Sequence, residues 1–364
     1  MRPALLGLNT EELRNLVQQK GERAFRGNQI AEWLYRHGVH TFKQMTDLPG
    51  TFRTTLAATY RIGRGNVIAR RQSHDGTVKL LLSLDDGALI ETVGLPYADR
   101  TSCCISTQVG CPVSCVFCAT GLSGFSRNLT AGEIIDQVLA MQEEMRQRAC
   151  GEGRDRIDHV TFMGMGEPLL NYEATVRAVQ LLNGEMGIAM RNLTISTAGL
   201  VPGIRRLANE RLQLTLAISL HAPTDELRHR LVPGMRKWSV ADIVAACQYY
   251  VEQTSRRVTF EYCLLDGVND RPEDATQLAT LLRGLNSHVN LIPFNTVQWL
   301  GFRKPPRERI KTFRAILESA GIRATQRVQR GSRIDAACGQ LRRVVNQSPG
   351  LKTATTITGM PPGQ

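Results

Sequence analysis

An α/β fold, with strands and helices alternating as a parallel sheet or barrel behind a helical N-terminal region, is what this 364-residue sequence predicts. Two observations carry that prediction. From residue 100 onward, short apolar, β-branched runs are separated by segments of helical period, the pattern of parallel strands joined by crossover helices. Each of the six runs is followed by a polar or glycine-rich stretch that breaks the pattern. In a barrel those stretches gather at the C-terminal ends of the strands, where βα barrels carry their active sites. Six strands instead of eight leave such a barrel partly open, wide enough at one side for a large substrate.

Residues 1–60 read as short helices. One starts at Thr10-Glu11-Glu12, with Thr10 as its N-cap, and continues through Leu13, Leu16 and Val17; another runs through Ile30, Trp33 and Leu34. Between Ile62 and Pro96 the pattern changes, and VKLLLSLDDGALIETVGLP reads as two strands joined by a turn containing Asp-Gly. Residues 1–96 are therefore expected to form an accessory domain with a β extension. The strand candidates of the core are SCCIST, HVTFMG, NLTIST, LTLAISL, RVTFEYCLL and HVNLIPF. Between them EIIDQVLAMQEEMRQRA, YEATVRAVQLLN, VPGIRRLAN, VADIVAACQYYVEQ and PEDATQLATLLRGL fit amphipathic helices. A last helix, ERIKTFRAILESAG, precedes a short strand in RATQRVQ and closes a core of residues 97–331. Residues 332–364 form a C-terminal segment whose end is small and polar, the composition of a flexible tail.

Hydrophobic residues make up 42% of the chain and charged residues 21%, an ordinary balance for a globular protein in water. No apolar run is long enough to span a bilayer, and the N-terminus MRPALLGLNTEEL has acids in place of a signal-like apolar block. A cytoplasmic protein with no membrane partner is expected. Nine cysteines, odd in number and scattered, suit a reducing compartment in which thiols serve as ligands or catalysts. The formal charge of +12 is concentrated, since residues 301–364 hold 13 Lys and Arg against 3 Asp and Glu. Arg303, Lys304, Arg307, Arg309, Lys311, Arg314, Arg323, Arg327, Arg330, Arg333, Arg342 and Arg343 make that segment a candidate phosphate-binding surface. A charge run alone is more often a solvated face.

GCPVSCVFCATG places Cys111, Cys115 and Cys118 in one tight loop after the first core strand. Iron-sulfur clusters normally take four cysteine ligands, so a compact trio suggests a 4Fe-4S cluster with one iron open to a ligand. A structural zinc site would need a second half-site, and no other CxxC or HxxxH occurs. Strand alternation puts Cys104, Ser106 and Gln108 on one face and Cys103 on the other, so only one of the adjacent cysteines looks inward. GMGEP, at residues 164–168, lacks the third glycine of a dinucleotide fingerprint and, by itself, reads as a tight turn. Ser196 in ISTAG, Ser219 and His221 in SLHA, and Asn295 in LIPFN end further strands, where a polar side chain either serves a site or caps the next helix. Cys338, flanked by alanine and glycine in IDAACGQL, reads as an accessible thiol; Cys150, Cys247 and Cys263 are assigned to packing.

In order along the chain, ETVGLP, CISTQVGCPVSCVFCATG, FMGMGEPLLNY, STAG, SLHAPTDELR, EYCLLDGVND, LIPFN and IDAACGQL resemble the bacterial RlmN family of RNA adenine-C2 methyltransferases, within the radical S-adenosylmethionine (SAM) superfamily. The resemblance covers about residues 60 to 345. It implies a partial (β/α)6 TIM-like radical SAM barrel, with an accessory domain at 1–96 that grips RNA and a methyl-carrier cysteine in 332–364. Cys111, Cys115 and Cys118 would hold the 4Fe-4S cluster, and Gly166, Glu167, Ser196, Ser219, Leu220, His221 and Asn295 would contact SAM.

The implied mechanism consumes two SAM molecules per turnover. One methylates Cys338; the other is cleaved reductively to a 5′-deoxyadenosyl radical that takes hydrogen from the Cys338 methyl group. The resulting methylene radical adds to the adenine ring, with Glu91 matching the proton acceptor and Cys104 as a competing candidate for that step. Cys104 then attacks the Cys338 sulfur, and a transient disulfide releases the methylated RNA. Substrates implied are one adenosine of 23S rRNA and the adenosine next to the anticodon in tRNA. An electron donor such as flavodoxin or ferredoxin, and action as a monomer, are expected with them. Arg333, in the turn RGSRID, stands where an acid is expected. Three other readings compete: a Cfr-type enzyme acting on carbon 8 with the same cysteines, an iron-sulfur RNA-binding protein without turnover, and a radical SAM enzyme acting on a small molecule. The long N-terminal extension and the DGVND loop favour carbon 2.

Overall fold

The computed structural model describes residues 2–148, 156–295 and 301–327, so that Cys150, Cys338 and the whole segment 332–364 lie outside the described residues. The two N-terminal helices read from the sequence are present as α1 (Thr10–Gln19) and α2 (Phe25–Glu32), the second continuing into a π-helical turn over Trp33–His37, and a further helix, α3 (Gly50–Thr59), follows. The cap of α1 is Asn9, not Thr10. The Asn9 side chain accepts the Glu12 N–H at 2.8 Å while the Glu12 carboxylate accepts the Asn9 N–H at 2.8 Å, a reciprocal box that satisfies two otherwise orphaned donors. Thr10 instead uses its hydroxyl and N–H on the Glu185 carboxylate, at 2.6 and 2.9 Å, which ties the first helix to the core.

Three antiparallel strands follow: β1 (Asn66–Gln72), β2 (Val78–Ser83) and β3 (Leu89–Pro96). The hairpin β2–β3 is the one the sequence predicts, and Gly87 in its turn adopts φ 80°. β1 is not expected from the sequence. It is an edge strand, NVIARRQ, whose arginines and largely solvated residues give no apolar alternation to read.

All six core strands are present, as β4 (Thr101–Cys104), β7 (His159–Phe162), β8 (Leu193–Thr197), β9 (Thr215–Ser219), β10 (Val258–Leu264) and β11 (Ser287–Pro293). Between β4 and β7 lie a small hairpin, β5 (Gln108–Gly110) with β6 (Phe125–Asn128), and the helix α4 (Ala131–Arg148). The other crossovers run through α5 (Tyr172–Gly184), α6 (Val201–Asn209), α7 (Asp225–Leu231) with α8 (Val240–Thr254), and α9 (Pro272–Leu281). The chain continues through α10 (Arg307–Ser319) into β12 (Ala324–Gln326). One sheet runs in the order β1-β2-β3-β4-β7-β8-β9-β10-β11-β12, parallel from β4 onward. It does not close on itself among the described residues, as six βα units predict. β3 pairs with β4, Val93 opposite Cys104, so the sheet continues across residue 96.

Register decides which side chains share a face. Cys104 pairs with Thr161, Thr161 with Thr194, Ser196 with Ala217, Ser219 with Glu261 and Glu261 with Asn290. On the antiparallel side the same face takes Val93, Glu91 and Lys79. The opposite face carries Cys103, Val160, Phe162, Ile195, Leu216, Ile218, Phe260 and Leu291, all within the main hydrophobic core. A sheet with small and polar residues on one side and an apolar surface on the other packs the apolar side against its helices. The polar side is left as the barrel interior. No helix of the described residues is long and apolar enough to cross a membrane.

Candidate active site

At the C-terminal ends of β7, β8 and β9 the interior opens into a cavity of about 220 Å³. Its wall brings together Cys111, Cys115, Cys118, Gly166, Glu167, Ser196, Ser219 and His221. The sequence had singled out each of them. Among the described residues the wall includes neither Leu220 nor Asn295, and neither Cys104 nor Glu91. Leu220 is fully buried in the core and donates its N–H to the Glu261 carbonyl at 3.1 Å. Asn295 follows the end of β11.

The three cysteines lie on the loop between β5 and β6, and neighbours fix its shape. Cys111 donates its N–H to the Gly124 carbonyl at 2.9 Å, Val116 to Leu231 at 3.1 Å, and Gly234 to the Val113 carbonyl at 2.9 Å. Gly110 stands at the root of the loop with φ 83°, and a Cβ there would lie 1.9 Å from the Gly124 oxygen. Gly110→Ala is therefore expected to cost about 3 kcal/mol or more, from a left-handed backbone plus a backbone clash. It should also break the Cys111 pairing, so a lower melting midpoint and reduced iron content are expected together in thermal denaturation and metal analysis.

GMGEP packs directly over the strand leading to the cysteines. Thr107 and Gln108 both donate their N–H groups to the Met165 carbonyl, at 2.8 and 3.1 Å, and Gln108 Oε1 accepts the Glu167 N–H at 2.8 Å. Glu167 is 2% exposed, and its two oxygens accept the N–H groups of Leu169 at 3.0 Å and Ala198 at 2.6 Å. Burial raises its pKa, opposed by these hydrogen bonds. Glu167 thus staples the GMGEP turn to the STAG turn. Asn171, just beyond the motif, does similar work by donating to the Thr107 and Leu129 carbonyls, each at 2.8 Å.

Ser196 and Ser219 place their hydroxyls 3.3 Å apart at the ends of β8 and β9. His221 adopts a left-handed φ of 61°, uncommon for a residue with a side chain. Its Nδ1 accepts the Cys263 N–H at 3.0 Å, which leaves the ring proton on Nε2. Burial, assisted by the Arg228 charge, lowers its pKa from 6.5 to about 3, so the ring is neutral. Between those two values the unfolded chain binds a proton that the folded chain refuses. The associated stability is present above about pH 6.5 and is lost as pH falls toward 3. His221→Asn tolerates the backbone and does not titrate. The difference in stability between wild type and variant is expected to shrink on acidification by up to about 1.4 kcal/mol per pH unit, measured by denaturant melts across that range.

Several participants lay in segments whose surroundings the sequence does not specify. Lys79 and Glu91, 0% and 3% exposed, form an ion pair of 2.8 Å on the face that carries Cys104. Ser106 joins that pair to the site, since its hydroxyl donates to the Glu91 carbonyl at 2.7 Å and accepts the Met165 N–H at 2.9 Å. Glu261 and Arg327 reach the cavity wall from β10 and the residue after β12, and Asn290 donates to Glu261 at 2.8 Å. Asn269, from the DGVND loop, clasps the carbonyls of His221 and Cys263 at 2.8 and 2.7 Å.

The donor set fits a polynuclear iron-sulfur cluster. Burial pushes the Cys111 thiol up to about 12 and the Cys115 thiol well above its ordinary value, and the neighbouring thiolates add repulsion. Three crowded thiolates need a multivalent cation to be stable as anions. Among the described residues no three His, Cys, Asp or Glu side chains converge on a point that one ion could occupy. The sequence has no second half-site to complete a single zinc ion, whereas a cluster with one iron left open would use the three sulfurs alone. Thr120 adds an orphaned polar group to the same wall, its hydroxyl buried without a partner among the described residues.

Comparison with known proteins agrees with this geometry. The radical SAM superfamily profile matches residues 105–279, and the profile described as "Ribosomal RNA large subunit methyltransferase N-terminal domain" matches residues 4–62. A protein of Thermosynechococcus vestitus named "Probable dual-specificity RNA methyltransferase RlmN" is 48% identical over 338 residues, covering 93% of this chain and 98% of that protein. A protein of the same name from Gloeobacter violaceus is 47% identical, covering 94% of this chain and 96% of its own length. The crystal structure of a radical SAM methyltransferase from Sphaerobacter thermophilus superposes with a TM-score of 0.88 at 48% identity, covering 93% of this chain and 98% of that one. With near full-length identity at that level, and the cysteine loop, GMGEP turn and strand-end hydroxyls in one cavity, the chain belongs to the RlmN family of the radical SAM superfamily.

Proposed function

We propose that this chain methylates carbon 2 of adenosine in 23S rRNA and in tRNA next to the anticodon, with Cys338 as methyl carrier and Cys104 as the thiol that releases product. Family membership carries the RNA methyltransferase activity, the 4Fe-4S cluster and the use of SAM. The observation that favours the residue roles is that Cys104, Glu91, Ser196 and Ser219 share one sheet face, with the cysteine trio at its C-terminal rim. When bound, the cluster supplies the one-electron chemistry that polar methylation of an unactivated ring carbon lacks.

The protein's own contribution is position and proton control. Cys111, Cys115 and Cys118 would hold the cluster, leaving one iron for SAM. The GMGEP backbone, the two serine hydroxyls, His221, Leu220 through its backbone, and Asn295 would orient SAM. Glu91, held by Lys79, stands on the face of Cys104 and would accept the ring proton. Cys338 lies outside the described residues, within the segment that would deliver it to the cavity.

RNA would be gripped at two places. A hollow of about 670 Å³ on the accessory region is lined by Arg2, Lys43, Arg53 and Arg61. The C-terminal basic residues add to it only in part. Lys311 and Arg314 pair with Glu308 and Glu318 at 2.8 Å each, and Arg309 with Asp270 at 3.2 Å, so some of the expected charge is already balanced. The division into 1–96, 97–331 and 332–364, action as a cytoplasmic monomer, and a flavodoxin or ferredoxin as electron donor belong to the same proposal.

The test is mass spectrometry of nuclease-digested rRNA and tRNA after anaerobic reaction of cluster-loaded protein with SAM and reductant. 2-Methyladenosine is the expected product. 8-Methyladenosine would move the chain to Cfr-type chemistry, and unmodified RNA alongside cleaved SAM would overturn the substrate.

A further inference from the structure

Arg228 is a buried cation whose hydrogen bonds are incomplete. It lies on α7 and is 0% exposed. Its Nη2 donates to the Ala198 carbonyl, and the Ala198 N–H is held by Glu167 at 2.6 Å. Gly199 leaves room for the guanidinium, since a Cβ there would come within 3.1 Å of Nη2 and 2.7 Å of Ile243 Cδ1. Nε and Nη1 are buried with no hydrogen-bond partner among the described residues. A guanidinium removed from water with two donor nitrogens unmatched is costly unless an anion lies close, so the arrangement needs an explanation.

Ala198, which accepts from Arg228, lines the same cavity as Cys115, and Val116 beside Cys115 donates its N–H to the carbonyl of Leu231 on α7 at 3.1 Å, so the helix that carries Arg228 is held against the cysteine loop. Asp225 accepts the Val240 N–H at 2.6 Å, and both oxygens of Glu167 are taken by backbone donors. That leaves the sulfur of Cys115, which would be an anion when bound to the cluster, as the group on this side that the Arg228 charge can serve. Burial lowers the Arg228 pKa to about 10, which still leaves it charged at neutral pH.

We propose that Arg228 is a positioning residue that holds a fixed positive charge and hydrogen-bond donors against the Cys115 side of the cluster, making the bound cluster easier to reduce. The inference rests on the reading of Cys111, Cys115 and Cys118 as cluster ligands. Reduction adds one electron and no proton to the cluster, so the extra negative charge is stabilised by a cation that water cannot screen. Through Ala198 and Glu167 the same side chain is coupled to the GMGEP turn, so the electrostatic support and the SAM-facing wall share one anchor.

The experiment compares wild type, Arg228→Lys and Arg228→Met, each reconstituted with iron and sulfide. Midpoint potentials are read from redox titrations followed by electron paramagnetic resonance, without RNA. Arg228→Met is expected to make reduction on the order of tenfold less favourable, about 59 mV for one electron, and Arg228→Lys to recover most of that shift. Equal potentials in loaded wild type and Arg228→Met would overturn the inference, including the case in which only SAM affinity falls. Should Arg228→Met fail to load, Arg228→Lys and Arg228→Gln carry the same comparison. The neutral amide is then expected to give the more negative potential, and equal values overturn the inference. A wild-type chain that takes up no cluster overturns the ligand reading and this inference with it; a loaded wild type with unmoved potentials in the variants overturns this inference alone.

Discussion

Cys104→Ala protein is expected to accumulate RNA covalently attached through Cys338, while Cys338→Ala protein transfers no methyl group at all. Both substitutions should lower 2-methyladenosine formation by on the order of a thousandfold or more, because each removes a group that forms or breaks a bond in turnover. The two failures differ in kind. Without Cys338 there is no carrier sulfur. Without Cys104 the carbon-sulfur bond to RNA has no thiolate to displace it, and the adduct survives denaturing electrophoresis with labelled RNA. Cys103 is the internal control. It sits one residue away on the apolar face, 0% exposed, within 3.4 Å of the Thr92 hydroxyl, and burial pushes its thiol up to about 12. A thiol that does not ionise cannot attack a sulfur, so Cys103→Ala is expected to turn over near the wild-type rate. Free release of methylated RNA by Cys104→Ala would remove Cys104 from the mechanism.

The contrast between Cys103 and Cys104 was legible in the sequence because it depends only on the two-residue period of a strand. The core strands and crossover helices were legible for a related reason: their apolar runs are local and their polar ends fall at regular places. Lys79 was not. Within VKLLLS it reads as a solvated side chain, yet the sheet turns that face inward and Glu91 pairs with it from the next strand. Arg228 has the same history, since DELRHR resembles any exposed helical turn until α7 is packed against the STAG turn. Glu261 lies between Phe260 and Tyr262, where only the pairing with Ser219 and Asn290 shows that it faces the cavity. Buried charge is set by long-range register, and no local pattern encodes it. The displaced cap of α1 is a smaller case, in which Asn9 and Thr10 are both good caps. The choice fell to Glu185, 175 residues away from Thr10, which takes the threonine hydroxyl.

Alanine at any one of Cys111, Cys115 or Cys118 is expected to abolish the iron-sulfur absorbance and lower methyl transfer by on the order of a thousandfold or more, while the metal-free chain keeps its fold. The side chains are half-buried, so losing one sulfur costs the metal-free protein about 1 kcal/mol in packing. For the loaded protein the loss is of another order. Two thiolates leave a second iron without a protein ligand, and the cluster is held by too few bonds to persist. The comparison of apo melting midpoint with iron and sulfide content separates a ligand from a packing residue. Cys263→Ala supplies the contrast, since Cys263 is buried beside the same cavity and its thiol is pushed to about 12 by burial. It is expected to keep full iron and sulfide content. Retention of the cluster in all three loop variants would mean that its ligands lie elsewhere in the chain, and the open iron on which SAM binding depends would have to be sought there.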